Sequence, residues 1–83
     1  MDLKLNFYEI DIDSIDNEDY DNIWINMWEV GLLREPEEKF LYKLLKKFEN
    51  VKQILFINYN NLQDHSHFED ILDGFKNVRM LEK

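Results

Sequence analysis

Apolar and polar positions alternate at the start of the chain. Leu3, Leu5 and Phe7 share one parity, and Tyr8, Ile10 and Ile12 then take the other. A period of two predicts a strand over residues 3–12, and the change of phase predicts a bulge near Phe7-Tyr8. Residues 13–19 are polar and acidic and read as a loop, with Asp16, Asn17 and Asp19 as candidate N-caps for the next element. From Tyr20 to Val30 the spacing of Tyr20, Ile23, Trp24, Met27 and Trp28 is that of a helix, which Gly31 in a left-handed conformation would end.

A second helix opens at Pro36, with Glu37 and Glu38 at its positive end. Phe40, Leu41, Leu44, Leu45 and Phe48 make its apolar stripe, and Lys39, Lys43, Lys46 and Lys47 cover the rest. Val51–Tyr59 is a nearly unbroken apolar, β-rich run, as a buried central strand requires. Ser66 followed by Glu69 fits a capping box opening a third helix, whose apolar face is Phe68, Ile71, Leu72 and Phe75. Val78–Glu82 reads as a short last strand. The predicted order is β-α-α-β-α-β. Strands joined by helical crossovers pair in parallel. The expected fold is therefore α/β, one domain over residues 1–83, with a three-stranded, mainly parallel sheet and three helices.

Composition adds limits. Eighty-three residues with twelve aromatics can build one modest core, with about 60–65% of the unfolded surface buried. The absence of Cys excludes disulfides and thiolate metal sites. No stretch approaches the ~18 apolar residues of a membrane span, and the first residues carry no signal-peptide pattern, so a cytoplasmic location is expected. The chain has no Ala or Thr and is rich in Asn, Ile and Lys, a bias of A/T-rich coding such as that of low-GC bacteria and their phages.

Charge changes the picture more. Of the 18 acids, nine lie in residues 1–33, where Lys4 is the only base, so that stretch carries the whole net charge of −8. Seven of the thirteen residues from Glu9 to Asp21 are acids. Crowded carboxylates repel one another, and a cationic partner relieves that cost. The expected recognition surface combines Asp13, Asp16, Glu18, Asp19 and Asp21, which steer, with Tyr20, Trp24 and Trp28, which anchor. Against this stands the plainer reading of a solvated loop beside core aromatics. The element order and acidity resemble the barstar family of small acidic ribonuclease inhibitors, in architecture only. The second helix is Lys-rich where an acidic binding helix would be needed, so no site residues carry over.

The function expected is a small inhibitor or antagonist, of the immunity-protein or phage counter-defence type. Its partner would be a basic protein such as a nuclease or another nucleic-acid-acting protein. Neither nucleic acid nor membrane is an expected direct partner, because a polyanion is repelled by a net charge of −8. Two alternatives remain. One is a homo-oligomer using the aromatic helix. The other is a metal-dependent enzyme using Asp64, His65 and His67. Calcium loops starting at Asp11 or Asp19 both fail, since their fifth positions are Ile15 and Ile23. No catalytic residue and no cofactor is expected, and the two isolated glycines form no phosphate-cradling loop.

Overall fold

The opening alternation is realised as strand β1, Asp2–Asn6, in a computed structural model that describes residues 1–16 and 20–81. The strand stops sooner than the alternation suggests. Residues Phe7–Glu9 and Ile12–Ser14 form two short 3-10 turns, which bury Phe7 and Ile12 from one connecting segment. The change of parity at Phe7-Tyr8 therefore marks the end of a strand, not a bulge within one.

The predicted helix over 20–30 is instead strand β2, Asn22–Asn26. Ile23, Ile25 and Met27 are fully buried, while Trp24 is half-buried and Trp28 is exposed. That is period two, not 3.6. No glycine has a positive φ, so Gly31 does not serve as a left-handed helix end. The remaining elements keep the expected order: α1 (Glu35–Lys47), β3 (Gln53–Ile57), α2 (His65–Leu72) and β4 (Val78–Met80). Among the described residues there are thus four strands and two α-helices, in an α/β fold. With one helix replaced by a strand, the element order also departs from the architecture that resembled barstar.

All four strands are parallel and lie in sequence order, β1-β2-β3-β4. The register aligns Leu3, Ile23, Ile54 and Val78 in one row and Leu5, Ile25, Phe56 and Met80 in another. Both rows face the core. Phe56 meets Phe68 of α2 edge-to-face at 5.3 Å between ring centroids, which places α2 over this face. His67 of α2 contacts Glu38 of α1, and Tyr42 of α1 lies against Phe75, so α1 is beside α2 on the same side. Leu41, Leu44, Leu45 and Phe48 then join Ile23, Ile25 and Ile54 in the core.

The opposite sheet face carries Lys4, Trp24, Leu55 and Arg79 in one aligned row. Neither helix covers it. Parallel sheets normally have helices on both faces, because the strand order reverses and right-handed crossovers then fall on opposite sides. Here the strand order never reverses, and α1 and α2 lie on one side.

The end of α1 is held by a side chain from outside the helix. The Asn77 amide donates to the carbonyls of Phe48 and Val51, at 3.0 and 2.8 Å, where α1 hands over to β3. The expected Ser66/Glu69 capping box is absent. α2 begins two residues earlier, after Asp64, whose side chain makes no cap and instead accepts a hydrogen bond from the Leu33 backbone N–H.

Candidate functional site

The parallel register decides what stands at the carboxyl end of the sheet. Asn6 pairs with Asn26, so β1 and β2 end side by side. Phe7–Glu9 and Met27–Glu29 therefore leave the sheet together. The Val30 N–H donates to the Met27 carbonyl at 2.9 Å, closing a turn with Trp28 and Glu29 at its tip.

That turn is held from both sides. The Trp28 N–H donates to Asn26 Oδ1 at 3.1 Å, and the Trp28 carbonyl accepts from Asn61 Nδ2 at 3.0 Å. Asn26 Oδ1 also accepts from Asn58 Nδ2 at 3.1 Å. Asn58 has φ of 57°, a left-handed conformation that Asn tolerates better than most residues. Three asparagines thus fix the backbone of Trp28, while the residue is 52% exposed.

Tyr8, also 52% exposed, and Leu32, 42% exposed, are the other large apolar side chains on the segments leaving this edge. Carboxylates flank them. The Tyr8 hydroxyl donates to Glu37 Oε2 at 2.9 Å. Partial burial and this bond to a carboxylate hold the Tyr8 phenol above its ordinary pKa, and the negative charge of Glu29 adds to the effect. The positive charge of Arg34 opposes the shift, so Tyr8, Glu29, Glu37 and Arg34 share one electrostatic neighbourhood. Glu9 accepts from Asn6 Nδ2 and borders the groove on the open sheet face.

The residues singled out in the sequence are not brought together. Asp13 is exposed in the second 3-10 turn, facing Lys43 of α1 at 3.9 Å. Asp16 is exposed, and Glu18 and Asp19 lie outside the described residues. Tyr20 is buried, with its ring edge-to-face against Phe48. Asp21 lies just before β2, at the opposite end of the sheet from Trp28. It pairs with the Met1 ammonium at 2.8 Å and with Lys52 at 3.4 Å, and the Met1 ammonium holds its carboxyl below the usual carboxylate range. Trp24 is half-buried on the open sheet face, and its buried Nε1 has no hydrogen-bond partner among the described residues. Of the three expected anchors, Trp28 alone is presented. Tyr8, Glu29, Leu32 and Glu37 were missed, because their proximity depends on the β1–β2 pairing.

The Asp64, His65 and His67 cluster also disperses. Asp64 accepts from Leu33, His65 Nε2 meets the Tyr59 carbonyl at 3.0 Å, and His67 Nε2 contacts Glu38. Among the described residues no group of three His, Cys, Asp or Glu side chains is arranged to hold a metal ion. No helix of the described residues is long and apolar enough to cross a membrane. No protein-family model, characterised protein or solved structure matches the chain.

Proposed function

We propose that this chain is a non-catalytic protein-binding domain of the inhibitor or antagonist type. It docks the carboxyl edge of its sheet onto a basic, nucleic-acid-acting protein, as an immunity or phage counter-defence protein does. The observation that carries this reading is Trp28, half in solvent on a turn pinned by Asn26 and Asn61. A large side chain ordered before binding loses little entropy on docking, and Trp is the residue type most enriched at interface hot spots. Tyr8 and Leu32 extend the apolar centre, Glu9, Glu29 and Glu37 form an acidic rim, and the Asp-rich segment from Asp11 to Asp21 raises the rate of encounter.

The topology agrees with this reading. Ligand crevices in open α/β sheets form where strand order reverses, and an order of β1-β2-β3-β4 contains no such point. The test is site-specific photo-crosslinking in the source cell, with the photoreactive residue at position 28 or at Tyr42, which is 45% exposed on α1. A basic protein joined at position 28 and not at 42 supports docking by the carboxyl edge. Equal crosslinking at both positions contradicts it.

A second reading, self-association, is favoured by the uncovered sheet face. A groove of about 780 Å³ crosses it, lined in part by Lys4, Asn6, Trp24, Asn26 and Ile57. Two copies stacked on this face would bury Trp24. Light scattering that gives a monomer mass at all concentrations removes this reading.

A further inference from the structure

Beside the Trp28 turn lies a smaller concavity with a definite chemical character. It holds about 200 Å³, below the roughly 300–1,000 Å³ of small-molecule pockets, and so has room for one side chain. Its walls are Phe7, Tyr8, Ile10, Pro36 and Phe40, and Glu37 is its one charged lining residue. Phe7 anchors the walls, standing edge-to-face to Tyr8 at 5.6 Å and to Phe40 at 5.3 Å. Both rings are thereby fixed by a residue that is itself buried.

Glu37 is the informative group. Its Oε1 accepts from the Arg34 backbone N–H at 3.1 Å and its Oε2 from the Tyr8 hydroxyl at 2.9 Å. Both donors are neutral. No ion pair links Glu37 to a cation among the described residues, although Lys39, Lys43 and Lys52 each pair with another carboxylate. A partly buried carboxylate, oriented by two neutral donors and bordered by three aromatic rings, leaves a full negative charge at the mouth of an apolar dimple.

Lys and Arg side chains have the complementary form, an apolar stem ending in a cation. We propose that this dimple receives one Lys or Arg side chain of the basic partner, with its stem against Pro36 and Phe40 and its cationic head between Glu37 and the Tyr8 ring. The inference rests on the protein-binding reading above and names the chemistry by which that partner is held. An anionic or purely aliphatic anchor would leave the Glu37 charge unmatched while removing it from water. A cation over the Tyr8 face gains a further attraction from the ring.

The experiment needs no partner. n-Propylguanidinium, an arginine side chain without its backbone, is titrated into the isotope-labelled chain, and backbone amide shifts are followed by NMR. The expected result is saturable shifts at Tyr8, Ile10, Glu37 and Phe40 at millimolar concentration, weakened about tenfold or more by Glu37→Gln. Gln retains the acceptor oxygen that holds the first turn of α1, so this variant removes charge without removing the cap. Shifts scattered over all carboxylates, no saturable shift, or equal shifts with neutral 1-pentanol would each overturn the inference. The Trp28→Ala variant should bind the probe as the parent does. Loss of partner docking at Trp28 and loss of the cation site at Glu37 are therefore separately readable.

Discussion

Replacing Ile25 by Ala separates a strand from a helix at residues 22–26 and sizes the core. Ile25 is fully buried between Leu5 of β1 and Phe56 of β3. Truncation to Ala removes three carbon groups, each worth about 0.8 kcal/mol of transfer free energy. The cavity left behind adds to this, giving a loss of about 3–4 kcal/mol within the 2–5 kcal/mol range of such substitutions. A chain of this size has a total stability of roughly 4–12 kcal/mol, so a quarter or more is at stake. Ile25→Val, which removes one carbon, should cost about 1 kcal/mol and keeps the series measurable if the Ala variant unfolds. Trp28→Ala should cost less than Ile25→Ala although it deletes a far larger side chain, because the residue is half in solvent. Urea unfolding followed by circular dichroism gives all three values. A Trp28→Ala variant less stable than Ile25→Ala would refute the strand, since the helical spacing puts Trp28 on the core face and Ile25 off it.

Single contacts set further outcomes. Asn26→Ala leaves the Trp28 N–H and the Asn58 amide without their shared acceptor and should cost about 1–3 kcal/mol, read by urea unfolding. Asn58→Ala should be less stable than Asn58→Gly by about 1 kcal/mol, because both lose the bond to Asn26 but only Gly is free of left-handed strain. Glu37→Gln should lower the Tyr8 phenol pKa toward its ordinary value, checked by tyrosine NMR titration. The sign is that of a raised folded-state pKa: the Tyr8 contribution is complete below the unfolded pKa near 10 and declines as pH rises through the folded value, so alkali should destabilise the parent more than Tyr8→Phe.

Much of the fold was legible where one period dominates. The stripe from Phe40 to Phe48 admits only a helix, and VKQILFINY is too apolar and β-branched for a surface element. Residues 20–28 satisfy two periods at once. Tyr20, Ile23, Trp24, Met27 and Trp28 fit 3.6, while Ile23, Ile25 and Met27 fit two. Residue types break the tie. Asn22, Ile23, Trp24, Ile25 and Asn26 include no strong helix former, and Ile and Trp favour strands. The error spread to the site, because an aromatic helix gathers Tyr20, Trp24 and Trp28, whereas a strand and its succeeding turn send them to the core, the open face and the carboxyl edge. Tyr8 and Glu37 lie 29 residues apart, and only the β1–β2 register and the placement of α1 bring them to one edge.

The central claim is that the pinned, exposed Trp28 is the docking anchor. Its most direct test is the affinity of the partner crosslinked at position 28 for the parent and for Trp28→Ala, by calorimetry at low and high salt. The expected result is a loss of at least thirtyfold for Trp28→Ala at both salts, equal to about 2 kcal/mol of hot-spot energy, with unchanged circular dichroism. Weaker parent binding is also expected at high salt, where the acidic rim is screened. Equal affinities for the parent and Trp28→Ala would contradict the claim.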